Sequence, residues 1–119
     1  MIDHVAFEVS DLVRSGGFYD AVFFALGVRR LHQGDHHVAY GVEHPSYWIV
    51  QRGHEPAAGY GHIALAATGK VAVDAAHAAG LRAGGSDDGA PGPRPQYGSR
   101  CYAAYLRDPD GLRVEVVAR

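Results

Sequence analysis

The chain has 119 residues, 47% hydrophobic and 20% charged, with a formal net charge of −2. That is enough to bury one core without staples, and too little positive charge for a nucleic-acid or anionic-membrane footprint. No apolar run approaches the roughly 18 residues of a bilayer span, and Cys101, the single cysteine, excludes an intrachain disulfide and suits a reducing cytoplasm.

The opening segment MIDHVAFEV carries Asp3 and Glu8 but no basic stretch, unlike a secretory signal. Residues 2–9 read as a strand, and Ser10-Asp11 can cap a helix beginning near Leu12. Leu12, Tyr19, Val22, Phe23 and Leu26 recur at helical spacing, and Gly27 stands where a C-terminal glycine belongs. Gly16-Gly17 costs that helix roughly 1 kcal/mol per glycine, which packing must override. Three strands are expected next, at 28–32, 37–42 and 46–51.

The order then restarts. Residues 61–67 read as a strand, Thr68 as the cap of a helix through KVAVDAAHAA, and Gly80 as its end. The Gly/Pro-rich stretch 83–99 is expected to hold one short strand and a long loop, as active-site lids often do. RCYAAYLR and LRVEVV read as strands joined by Asp108-Pro109-Asp110-Gly111, where Pro fixes φ and Gly accepts a positive one. The expectation is therefore one α+β domain over residues 1–119, built of two βαβββ modules at about 1–54 and 59–119. Each module has one helix for one sheet face. The other face must be closed by the second module or left as a cavity.

Strand parity sorts the side chains. His4, Ala6 and Glu8 share one face of the first strand; Val5, Phe7 and Val9 take the face under the helix. Likewise His62 and Ala64 look inward, with Arg113, Glu115 and Val117 of the last strand. Two imidazoles and a carboxylate, His4, His62 and Glu115, would suit Fe(II), Mn, Ni or Zn with positions open for substrate. Such a metal would polarise a substrate oxygen or acidify a water. Taken singly, each histidine also fits a half-buried, hydrogen-bonded residue at a strand end.

IDHVAFEVSDLVRSGGFYDAVFFALG, GHIALAA and YLRDPDGLRVEVV resemble the vicinal-oxygen-chelate superfamily across essentially the whole chain. That superfamily includes glyoxalase I, fosfomycin-resistance proteins, methylmalonyl-CoA epimerase, extradiol dioxygenases and bleomycin-binding proteins. The resemblance implies paired modules forming a cupped, barrel-like mixed sheet with helices outside. It also implies a divalent metal held at the positions of His4, His62 and Glu115. Glyoxalase I adds a fourth ligand from the fourth strand; pairing SYWIVQR with GLRVEVV puts Ile49 there, which cannot ligate. The resemblance further implies a homodimer, in which His4 of one subunit could meet His62 and Glu115 of the other.

Glu8 is a candidate general base or a partner for a ligand histidine. Tyr47, Trp48, Tyr97, Tyr102 and Tyr105, with Arg94 near the long loop, are candidates for ligand binding. Trp48, by parity with Val50, has the alternative of lying under the first helix. His32, His36, His37, His44, His54 and His77 read as surface residues. Two functions are consistent with this pattern. One is a metal-dependent lyase, isomerase, transferase or dioxygenase acting on a bidentate oxygen substrate. The other is a non-catalytic cup that sequesters an antibiotic or other natural product.

Overall fold

Alternation and capping build the first module. In the computed structural model, which describes residues 1–57, 59 and 61–119, β1 (Val5–Val9) leads into α1 (Leu12–Ala25). The Asp11 carboxylate caps α1 by accepting from the Arg14 amide at 3.0 Å. Leu26 closes the helix, and Gly27 at φ 75° turns the chain away from it. β2 (Arg29–Gln33), β3 (His37–Gly41) and β4 (Pro45–Gln51) follow as antiparallel neighbours, and β4 also pairs in parallel with β1. At the β3–β4 turn a Cβ on Gly41 would fall 1.9 Å from the His44 carbonyl oxygen, so glycine is required.

The second module repeats this order with β5 (His62–Ala66), α2 (Lys70–Arg82), β6 (Ser86–Pro93), a short 3-10 turn at Pro95–Tyr97, β7 (Tyr102–Arg107) and β8 (Arg113–Ala118). The strand orders are β1-β4-β3-β2 and β5-β8-β7-β6. The chain is thus an α+β protein of two βαβββ modules. Its two mixed sheets remain separate, with β1 and β5 at their edges.

Three local expectations change. Gly69 rather than Thr68 precedes α2, and no side chain caps it. Gly80 lies inside α2, where a Cβ would meet Leu106 Cδ1 at 2.7 Å and Val22 Cγ2 at 3.0 Å, so it permits close packing. In the Gly/Pro-rich stretch the strand is longer than expected: β6 takes 8 residues, and the 3-10 turn follows it. Pairing with β7 overrides its poor propensity, with register shifts on both sides of Gly89.

The helices pack on each other, and one core takes in Phe18, Tyr19 and Val22 of α1 with Leu106 and Val114 of the second sheet. Each sheet therefore turns its helix-covered face to this core and leaves its other face open. The Asp108–Gly111 turn fastens the modules together. Asp108 accepts from the Tyr19 hydroxyl at 2.7 Å and from the Asp110 and Leu112 amides at 2.9 Å each. Asp110 accepts from the Ser10 amide and hydroxyl and from Arg14. Desolvation raises the Asp108 pKa above its ordinary value, with the hydrogen bonds from Tyr19 and the two amides opposing. Among the described residues no helix is long and apolar enough to cross a membrane.

Candidate functional site

Val114 and Val116 of β8 face the core, so Arg113 and Glu115 share the open face with His62 and Ala64 of β5. His62 Nε2 lies 3.0 Å from Glu115 Oε2. Glu115 is only 8% exposed, and a carboxylate so far from water needs a partner, which His62 supplies. Tyr105 of β7 stands opposite Glu115. Burial first, and then the Glu115 charge, raises the Tyr105 pKa and keeps the phenol protonated. A cavity of about 530 Å³ opens over this face, lined wholly by the second module. Arg94, Tyr97, Arg113 and Arg119 border it together with His62, Tyr105 and Glu115.

His62 also borders a groove of about 550 Å³ that Ala6, Phe7 and Glu8 of β1 reach from the other side. Glu8 is held there by Arg52 Nε at 3.1 Å and His54 Nε2 at 2.6 Å. His4 precedes β1 and is exposed, with Nδ1 2.6 Å from Asp3 Oδ1, a contact that lowers the Asp3 pKa. Among the described residues no three His, Cys, Asp or Glu side chains are gathered to hold a metal. The fold thus brings His62 and Glu115 together and leaves His4 apart from them.

Of the ligand-binding candidates, Arg94, Tyr97 and Tyr105 line the cavity. Tyr47 and Tyr102 do not. Tyr47 faces α1 in the core, its ring 5.1 Å from those of Tyr19 and Phe23. Tyr102 turns toward α2 and donates its hydroxyl to Asp74 at 2.6 Å. Trp48 takes the open face of the first sheet, against the reading that put it under the helix. It lies there beside the stacked rings of His32 and His37. Tyr47, Trp48, Ile49 and Val50 are all apolar in bulk, so alternation could not choose between the two faces.

The register also corrects the fourth-strand argument. Trp48 pairs with Ala6 as Glu115 pairs with Ala64, so Trp48, not Ile49, is the counterpart of Glu115. An indole N–H is a donor only and gives a metal no lone pair, so β4 still offers no ligand. His77, expected at the surface, is buried in α2 with Nε2 2.9 Å from Asp87. Arg113 and Arg119 were not among the ligand-binding candidates. Parity on β8 places Arg113 on the Glu115 face, whereas no pattern in the sequence marks Arg119.

The model of the Glyoxalase/Bleomycin resistance protein/Dioxygenase superfamily matches residues 1–116, and the chain belongs to that superfamily. A glyoxalase/bleomycin resistance protein from Albidiferax ferrireducens is 33% identical, with a TM-score of 0.86 over 98% of this chain and 97% of that one. A glyoxalase I mutant from Zea mays is 28% identical, with a TM-score of 0.75; the match covers 97% of this chain but 44% of that one. A fosfomycin resistance protein from Mesorhizobium loti, 19% identical with a TM-score of 0.73 over 100% of this chain and 92% of that one, shares the fold. None of the curated proteins compared matches the chain.

Proposed function

We propose that the protein is a divalent-metal-dependent enzyme of lyase or dioxygenase type whose small substrate presents two oxygens, with His4, His62 and Glu115 as the metal donors. The observation that carries this reading is the His62–Glu115 pair, 3.0 Å apart in a cavity of about 530 Å³, a size suited to a small organic ligand. Imidazole and carboxylate suit Fe, Mn, Ni or Zn, so His62 and Glu115 would serve as two donors to such a cation. Two donors do not complete a site. The reading therefore includes a homodimer, in which His4 of one copy meets His62 and Glu115 of the other. Asp3 favours His4 for that role, because its hold on Nδ1 leaves Nε2 free to ligate.

A bound metal would supply Lewis-acid polarisation of a substrate oxygen. The chain's own groups orient the substrate and handle protons. Tyr105 would donate a hydrogen bond to a ligand in the cavity, and Tyr97 would contact it from the same lining. Glu8 borders the groove that His62 also reaches and would be the proton acceptor in this reading.

Elemental analysis of untagged protein tests the reading, beside a His62→Ala, Glu115→Ala double variant. Near-stoichiometric metal that disappears in the variant is expected. Wild-type protein that stays metal-free after incubation with Zn, Ni, Mn and Fe(II) would overturn it. A second reading, sequestration of a flat natural product, draws on the platform of Trp48 with His32 and His37, whose ring centroids lie 5.7 and 5.6 Å from the indole. Trp48 is the single tryptophan, so quenching of its fluorescence by such a ligand tests that reading directly.

A further inference from the structure

The cavity over the second sheet is positive in a chain that is negative. Its lining includes Arg94, Arg113 and Arg119 with Asp88 and Glu115, while the whole chain has a net charge of −2. Both carboxylates are already engaged. Glu115 faces His62, and Asp88 Oδ2 accepts from Arg113 Nε at 2.9 Å and from Arg107 Nε at 3.1 Å. Arg94 and Arg119 have no carboxylate partner among the described residues. Arg94 donates to the Ala90 and Pro93 carbonyls, and Arg119 to the Tyr97 carbonyl, so backbone oxygens steer both guanidiniums. Arg113 and Arg94 also lie over the Tyr105 ring, 4.1 and 5.8 Å from its centroid, which holds both guanidiniums on the cavity side.

A guanidinium presents paired N–H donors that match the two oxygens of a carboxylate. We infer that the substrate is a small organic carboxylate: its chelating oxygens reach the His62–Glu115 end of the cavity and its carboxylate lies against Arg94 and Arg119. The inference rests on the metal-dependent reading for the position of the chelating end. The anionic end stands on the arginines alone.

Two probes separate these ends. Catechol offers the oxygen pair without an anion, and 3,4-dihydroxybenzoate offers the same pair with a distal carboxylate. Calorimetric titration of metal-loaded wild type is expected to show 3,4-dihydroxybenzoate binding about tenfold tighter or more, the scale of one well-formed charged hydrogen-bond pair. An Arg94→Gln, Arg119→Gln variant, with its metal content measured alongside, should lose most of that preference. Equal affinity for both probes would overturn the carboxylate inference and leave the metal reading standing. Binding of the acid without any binding of catechol would support the anionic site and count against the metal reading. Failure of wild type to bind either probe would overturn the inference as well.

Discussion

Asp108 and Asp87 respond to pH with opposite sign. Burial raises the Asp108 pKa above its ordinary 3.8, so the folded chain holds this proton more readily than the unfolded one. The stability linked to the group is complete below 3.8 and is lost as pH rises through the folded-state pKa. Asp108→Asn has no proton to lose, and its amide oxygen can still accept from the Asp110 and Leu112 amides. Relative to wild type, this variant should therefore gain stability from the acid range toward neutrality, as read by urea unfolding across pH. A difference independent of pH would sink the assignment. Asp87 is the converse: the His77 hydrogen bond, followed by that of the Gly89 amide, lowers its pKa. Its contribution is present above 3.8 and disappears as acid titrates it. At the site, Glu115→Gln keeps an acceptor for His62 and nearly the same volume while removing the negative donor. The fold should stand and metal affinity should fall by more than about 100-fold in chelator competition; unchanged affinity would take Glu115 out of the ligand set. The placement of Glu115 and His62 was legible because β8 and β5 alternate chemically distinct residues. His77 was not, because KVAVDAAHAAG offers little polar contrast between the buried and open faces of α2.

Glycine separates intrinsic preference from packing at the level of the helix. Gly17 of α1 is exposed, and a Cβ there meets nothing within 4 Å. Gly17→Ala should recover the helical preference, roughly 1 kcal/mol, and raise the melting temperature by about 3–6 °C. Gly80 of α2 carries the same intrinsic cost, yet its Cβ would strike Leu106, Val22 and Phe18. Gly80→Ala should therefore destabilise by about 1–3 kcal/mol through overpacking against Leu106 of β7 and against α1. Thermal unfolding of the two variants decides the matter, and a raised melting temperature for Gly80→Ala would contradict the packing described. The sequence marks Gly80 as a helix end because glycine often is one; the neighbours that require it belong to other elements and leave no local trace. The same holds for β6. Ser86–Pro93 has glycines and prolines where a strand has β-branched residues, and its pairing with β7 is a long-range fact.

At the scale of the molecule, the edges that carry the first strand of each module are the open feature nearest the candidate site. β1 and β5 each end a four-stranded sheet, and Ala6, Ala64 and Ala66 expose short side chains along them. A free edge is a ready template for another strand, and a two-fold pairing would set β1 of one copy beside β5 of its mate twice over. This arrangement would bring His4 of one copy to His62 and Glu115 of the other, which the separate sheets of a single chain do not do. Mixed dimers can distinguish the two possibilities. His4→Ala and His62→Ala chains, each alone, should bind little metal wherever the donors come from. If the donors come from two copies, a heterodimer of the variants has one site lacking both histidines and one site with both intact. Unfolding the variants together and refolding them at equal concentration makes about half of the dimers heterodimers, so metal content should return to about one quarter of the wild-type value. Refolding each variant separately before mixing gives the baseline. If each site is built within one chain, no combination contains an intact site, and the refolded mixture will bind no more metal than its parents.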